Sequence, residues 1–371
     1  MAMRIEAGRA KGRVQRRRPR AAGPGIPLVQ KVLEPKMQTK TPYPRTGGKA
    51  PLSPPPASGL LSRLTNVIGE KMLINLVALT VLMTALILAQ DQFLTLVNIT
   101  NVLRQISGVI IVGTAVTLLM MAGCLDLSVG GVIALTGVIA AFLSKVMPLP
   151  AAFVLATGVG TLVGMLNGFL YVRIGINAFI ATLGTMYVCQ GAANLLTGGT
   201  AVIQLPEGYS YIGTGYILRV PIAVWIAAAF TLLYSFLERR TRLGKYSVAV
   251  GDNKQAAFLT GIPVAKIHFL LYALSGTMAG AAGVLLSSRL GVGLPTVGIG
   301  FEFQVIVATI LGGTSLLGGE GSVIGMAVGA IIVGVLNNGL NLLGVQSFWQ
   351  TVVLGTVLVL AVSLDMSLRK R

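Results

Sequence analysis

Apolar residues in this chain come in long unbroken runs separated by short polar stretches, rather than alternating with polar ones. Ten runs stand out, near 72–90, 107–124, 128–146, 150–171, 177–196, 217–237, 267–288, 301–317, 322–343 and 348–365. Runs of this length cross about 30 Å of hydrocarbon as helices. The ten-residue alternation of a transmembrane barrel is missing. The pattern therefore predicts an all-α polytopic membrane protein with about ten transmembrane helices.

Two places depart from plain spans. From Ser107 to Leu143 the chain has no extended polar loop, so two helices and a turn must share that stretch. Each helix then reaches roughly 24 Å, short of the hydrocarbon thickness. The turn, "LDLSVGG" with Asp126 inside it, is expected at or beneath the inner membrane face. Later, the run "FEFQVIVATILGG" of about 20 Å ends in "GGTSLLGGEGS". Two short runs, each with a glycine-rich turn and an acid nearby (Asp126, Glu320), predict two related halves containing interrupted, re-entrant helices. Such pairs point to a transport pathway. For Asp126 the residues alone leave three roles open: capping the next helix from the amides of Ser128 or Val129, a gate or substrate contact, or proton coupling.

Composition sharpens the class. Of 371 residues, 54% are hydrophobic and 11% charged, whereas a soluble domain carries about 25% charged residues. The net charge of +18 could suggest nucleic acid, but 14 of the 29 Lys and Arg crowd into residues 1–63, beside only Glu6 and Glu34. That segment is proline-rich without apolar periodicity, so it is expected to be a disordered cytoplasmic tail near anionic membrane lipid, not a nucleic-acid binder. Residues 64–371 are the expected membrane domain. Met37 is an alternative initiator. No apolar core precedes residue 60, so a signal peptide is not expected and the first span does the targeting. With the N-terminus inside, the expected inner loops and C-terminus carry eleven Lys and Arg and the outer segments only Arg104, Lys145, Arg219 and Arg289. That bias predicts both termini in the cytoplasm.

The longest inner loop, residues 238–266, contains "NKQAAFLT", which reads as a short helix capped by Asn253 and ended by Gly261. Two helical turns cannot form a catalytic domain, but they can present a knob to a partner. The outer loop "GGTAVIQLPEGYSYIGTG" has tyrosines, one acid and no Lys or Arg, and is a candidate docking or gating surface. Gly160, Gly164 and Gly168, like Gly321, Gly325 and Gly329, recur every four residues and should give smooth helix faces for close packing.

The same inventory argues against an enzyme. "GGKA" at 47–50 lacks the spacing and hydroxyl of a phosphate loop. His268 is the one histidine and has no evident acid partner for a hydrolase. Cys124 and Cys189 have no metal-like spacing. No metal and no cofactor is expected. Polar residues within spans, Asn194, Glu302, Gln304, Asn337, Asn338 and Asn341, are the candidates for a translocation path. Their competing role is hydrogen bonding between helices, about 0.6 kcal/mol each.

Four motifs, in order along residues 94–365, carry a resemblance: "DLSVG" (126–130), "AFIATLGT" (178–185), "GDNKQAAFLTGIPV" (251–264) and "LGGTSLLGGEGSVIG" (311–325) followed by "LNNGLNLLGV" (336–345). Together they resemble the permease subunits of bacterial sugar ABC importers of the ribose type. The family usually has Gly-Ile before the Asp, where this chain has Cys124-Leu125. The resemblance implies a permease homodimer in the bacterial inner membrane, a separate ABC ATPase subunit that uses the ATP and magnesium, and a periplasmic sugar-binding protein. It implies that Gly251, Asn253, Ala256, Ala257 and Gly261 form the coupling helix that meets the ATPase. Asp126, Ser128, Gly130, Gly312, Gly313, Gly318 and Gly319, in the two glycine-rich turns, are the candidate gate and turn residues. The expected cargo is a monosaccharide or related polyol. An ion-driven secondary transporter, or an amino-acid cargo on the same architecture, is the alternative.

Overall fold

The computed structural model describes residues 70–369, all within one unit that spans Ala57–Arg371. The expected basic tail, residues 1–63, lies outside the described residues. The elements are α1 (Glu70–Ala89), α2 (Leu96–Met121), α3 (Val129–Leu143), α4 (Leu149–Phe169), α5 (Ala178–Thr197), α6 (Tyr211–Thr214), β1 (Tyr216–Ile217), β2 (Val220–Pro221), α7 (Ile222–Arg240), α8 (Arg242–Asp252), α9 (Lys254–Leu259), α10 (Val264–Leu290), α11 (Phe301–Leu311), α12 (Val323–Leu342) and α13 (Ser347–Arg369). Among the described residues α2, α4, α5, α7, α10 and α12 are long and apolar enough to cross a membrane. Shorter apolar helices within α1, α3, α11 and α13 occupy the other four expected positions.

One expectation fails at α2. It begins at Leu96, not near 107, and its 26 residues reach about 39 Å. The polar stretch "VNITN" is helical because its polar groups find partners. Thr95 Oγ1 accepts from the Asn98 amide at 3.3 Å. The side chains of Asn98 and Asn338 exchange two hydrogen bonds, at 2.7 and 3.0 Å. The shortfall in length therefore belongs to α3 alone, whose 15 residues rise about 22 Å.

α10 runs through the middle of the bundle and packs on α2, α3 and α4. Against α4 it does so backbone to backbone. A side chain at Gly160 or Gly164 would overlap the carbonyl of Gly276 or Tyr272, and one at Gly168 would press on Phe269. The first expected smooth face is therefore real, and it serves close packing. The second is real in part. Gly325 and Gly329 of α12 abut Gly312 and Ala308 at the end of α11, but Gly321 precedes the helix and meets Met121 and Thr314. α4 leaves Val154, Leu155 and Leu162 exposed, which is the surface a hydrocarbon phase would cover.

The loop expected on the outer side is a fitted cover for the end of α10. Tyr209 is buried with its hydroxyl 2.6 Å from Ser287 Oγ, and Ser288 Oγ donates to the Tyr209 carbonyl at 2.7 Å. α6 sits on the end of α10, where a side chain at Gly213 would overlap Arg289. Val202 pairs with Gly293 in an isolated antiparallel bridge.

Candidate functional site

α2 ends at Met121, and Gly123 (φ +75°) turns the chain, a conformation that suits glycine. Residues 124–127 have no helical structure, and α3 starts at Val129. Along α10, His268 meets Ala122, Tyr272 meets Leu125 and Ser275 meets Asp126. From His268 to Ser275 α10 rises about 10 Å. The segment therefore climbs back into the bundle beside α10 instead of making a tight turn, and α3 begins deep within it. Non-helical backbone at such depth requires protein cover, which α10 supplies.

Asp126, 2% exposed, carries a complete set of partners. Its Oδ1 accepts from the Ser128 amide at 2.9 Å and Ser128 Oγ at 2.5 Å. Its Oδ2 accepts from Ser275 Oγ of α10 at 2.7 Å. Ser128 Oγ in turn accepts from Asn167 Nδ2 of α4 at 2.8 Å, and Asn167 Oδ1 accepts from Thr185 Oγ1 of α5 at 2.7 Å. The expected bond to the Ser128 amide is present, but Asp126 is also a hub that ties the start of α3 to three other helices. A satisfied polar network in a low-dielectric interior rigidifies what it joins. Asn167, Thr185 and Ser275 were missed from sequence. Asn167, alone in "LVGMLNGFL", was the one visible signal.

The second half has its own broken helix. Residues 293–298 run beside α3 from its far end, where Gly293 touches Val138 and Ala141, to its start, where Gly298 touches Gly130. Gln190 Nε2 donates to the Pro295 carbonyl and pins this segment to α5. α11 then begins at Phe301, so the first turns of the two short helices meet. A side chain at Gly130 would overlap both Gly298 O and Glu302 Oε2. Glu302 is 5% exposed, and its Oε2 has no hydrogen-bond partner among the described residues. The acid that matches Asp126 at a short-helix start is thus Glu302. Glu320, expected in that role, lies beyond α11 in the turn, with its carbonyl accepting from the Ser315 amide.

Three glycine-bearing motifs, far apart in sequence, touch at one place. The Gly319 amide donates to Met121 O at 2.9 Å. A side chain at Gly251 would overlap the same carbonyl, and Gly318 (φ +89°) lies against Gly123 and Gly251. Gly312 ends α11 against Gly325 and Met326 of α12, and Gly313 (φ +89°) follows it into the turn. The turn is held from outside by Asp365 Oδ2, which accepts from Ser315 Oγ at 3.0 Å, and by Glu238 Oε2, which accepts from the Val323 amide at 2.9 Å.

α9 has the expected form. Asn253 Oδ1 accepts from the amides of Gln255 (3.1 Å) and Ala256 (2.9 Å), and Gly261 (φ +84°) follows its end. Its two alanines part company. Ala257 is buried with Val250, Ile262 and Val264, whereas Ala256, Phe258 and Leu259 face outward. Lys254 Nζ donates to Tyr171 Oη at 3.3 Å and lies 5.2 Å from that ring. Tyr171 packs edge-on against His268 at 5.1 Å. His268 Nε2 lies 3.2 Å from the Ala122 carbonyl, and Tyr272 Oη donates to the Leu125 carbonyl at 3.0 Å. A continuous chain of contacts therefore runs from α9 to the Asp126 segment. Tyr171 and Tyr272 were not anticipated.

The expected path residues fall in three settings. Asn194 Nδ2 bonds its own helix at Gln190 O (2.8 Å). Asn338, with Asn98, and Asn341, which accepts from Gln350 Nε2 at 2.7 Å, bridge helices, and Asn337 is buried beside them on α12. Glu302 and the half-buried Gln304 belong to the start of α11.

Residues 98–362 match the family model described as branched-chain amino acid transport system / permease component. The chain belongs to this permease family. It is 38% identical over 296 residues to the ribose import permease protein RbsC of Escherichia coli strain K12, covering 78% of this chain and 92% of that one. It is 36% identical over 286 residues to the D-allose transport system permease protein AlsC of the same strain, covering 76% of this chain and 87% of AlsC. The L-arabinose ABC transporter permease protein AraH of Azospirillum brasilense is 36% identical over 321 residues, or 85% of this chain and 92% of its own length. No solved structure matches at a significant level. The motif resemblance to sugar ABC permeases holds, and with six membrane-length helices the chain is a multi-pass membrane protein.

Proposed function

We propose that this chain is the permease subunit of an ABC importer that brings a monosaccharide or related polyol across the inner membrane. A separate ABC ATPase energises it with ATP and magnesium, a periplasmic binding protein delivers the sugar, and two copies of the chain form the conduit. Both termini face the cytoplasm, and the chain itself performs no reaction and holds no cofactor.

The observation that carries this reading is the build of α9. It is a capped helix anchored by Ala257, presenting Ala256, Phe258 and Leu259 outward, with Lys254 wired through Tyr171 to the carbonyls around Asp126. An ATPase that moves α9 would load the broken helices directly, and their meeting point at Gly130 and Glu302 is where a path would open. The relatives named for ribose, allose and arabinose favour a sugar over the amino acid in the family description.

The test is uptake of labelled ribose, allose and arabinose into proteoliposomes. With ATPase, binding protein and ATP present, at least one sugar should accumulate, and the chain alone should never concentrate any of them. Accumulation by the chain alone on a proton or sodium gradient would overturn the proposal.

A further inference from the structure

At the end of the bundle that carries α9, a groove of about 480 Å³ opens between α4 and α10, lined by Phe169, Val172, Arg173, Ala265, Lys266 and Phe269. Its origin is local. Gly168 brings the α4 backbone against Phe269, and just beyond it residues Leu170–Ile174 form a π turn that widens the helix and ends at Gly175 (φ +82°). The two helix ends part there. A second groove of about 410 Å³ shares Val172, Ala265 and Lys266 and adds Lys254. Among the described residues, no acid lines either groove.

We infer that this groove holds the anionic headgroup of an inner-leaflet phospholipid, with Arg173 and Lys266 on the phosphate and the first acyl segments over Phe169 and Phe269. The floor of the groove belongs to the apolar spans Leu149–Ile174 and Val264–Leu290, and the cations stand at their ends. Phe169 and Phe269 are 48% and 36% exposed. An occupant must therefore meet hydrocarbon and positive charge within one site, which describes an anionic amphiphile. Basic pockets between membrane helices on the cytoplasmic side are suited to such headgroups. A soluble ATPase reaches the outward side chains of α9 but not a floor within the membrane. Because Lys254 and Lys266 border the shared groove, an occupied site would brace α9, and lipid composition would tune its coupling. The inference rests on the inner-face placement of this end, but not on ATP-driven transport.

The purified full chain is reconstituted in nanodiscs of equal parts phosphatidylcholine and phosphatidylglycerol, extracted, and its retained phosphatidylglycerol counted by native mass spectrometry. Replacement of Arg173 and Lys266 by the uncharged glutamine should reduce retention about fivefold for each charge removed. The exchange Arg173→Lys with Lys266→Arg should preserve it. Arg239→Gln with Arg240→Gln, exposed cations at the end of α7 outside the groove, should leave it unchanged. Equal retention by the glutamine pair, or an equal loss in the α7 pair, overturns the inference. So does loss of ATPase binding by the glutamine pair with lipid retention intact, which would assign the surface to the ATPase. The count needs neither ATPase nor sugar, so it stands or falls apart from the transport assay.

Discussion

Asp126 and Glu302 sit at corresponding places, each at the start of a short helix buried in the bundle, yet their surroundings are opposite. The Asp126 carboxylate accepts three hydrogen bonds and locks α3 to α10 and, through Ser128, to α4 and α5. Glu302 Oε2 lies against Gly130 with no partner. A buried polar atom without a partner raises the energy of the state that contains it. One broken helix is fastened by its acid, and the other is held by packing while one oxygen of its acid has no hydrogen-bond partner among the described residues.

The largest expected effect is on the fastened side. Asp126→Ala strands the hydroxyl of Ser275 and both donors of Ser128, which should cost about 3 kcal/mol and abolish uptake. Thermal unfolding in detergent reads the loss, and an unchanged melting temperature would mean the hub fastens nothing. Next comes Gly130→Ala, whose methyl displaces Glu302 and Gly298 together, at about 1–3 kcal/mol of overpacking. A sharper contrast pairs the amides. Asp126→Asn keeps an oxygen for Ser128, and Ser275 can rotate to accept, so about 1 kcal/mol should be lost. Glu302→Gln replaces a buried acid by a neutral amide and should leave the melting temperature unchanged or higher while lowering sugar uptake. If both amides shift stability in the same direction, the comparison fails. The smallest structural effect belongs to Ala256→Arg. Being exposed, it should leave folding intact and uncouple ATP hydrolysis from uptake, whereas Ala257→Arg, at a buried position, should destabilise the loop itself.

Much of this was legible in the sequence wherever local chemistry decides. The cap of Asn253, the stop at Gly261, the short run from Phe301 and the glycine face of α4 all follow from a few neighbouring residues. What escaped depends on distant partners. The start of α2 was hidden because "VNITN" looks like a loop until Asn338, 240 residues away, meets Asn98. Ser275 is 149 residues from Asp126, and nothing along the chain announces that they touch. Glu320 was read as the counterpart of Asp126 because both adjoin glycine-rich turns. The deciding feature is the irregular segment before a short helix, and that picks out Glu302.

The glycine contact between α4 and α10 has a mechanical consequence. Two successive turns of one helix, at Gly160 and Gly164, rest on the peptide groups of the other, with Phe269 packed on the third at Gly168 and the Thr161 and Thr277 hydroxyls bonded across the seam. Sliding would first require lifting the helices apart, so the two swing as one beam. The hinge of any rocking motion must therefore fall outside this pair, and the walls that part for a passing sugar are to be sought around α2 and α11.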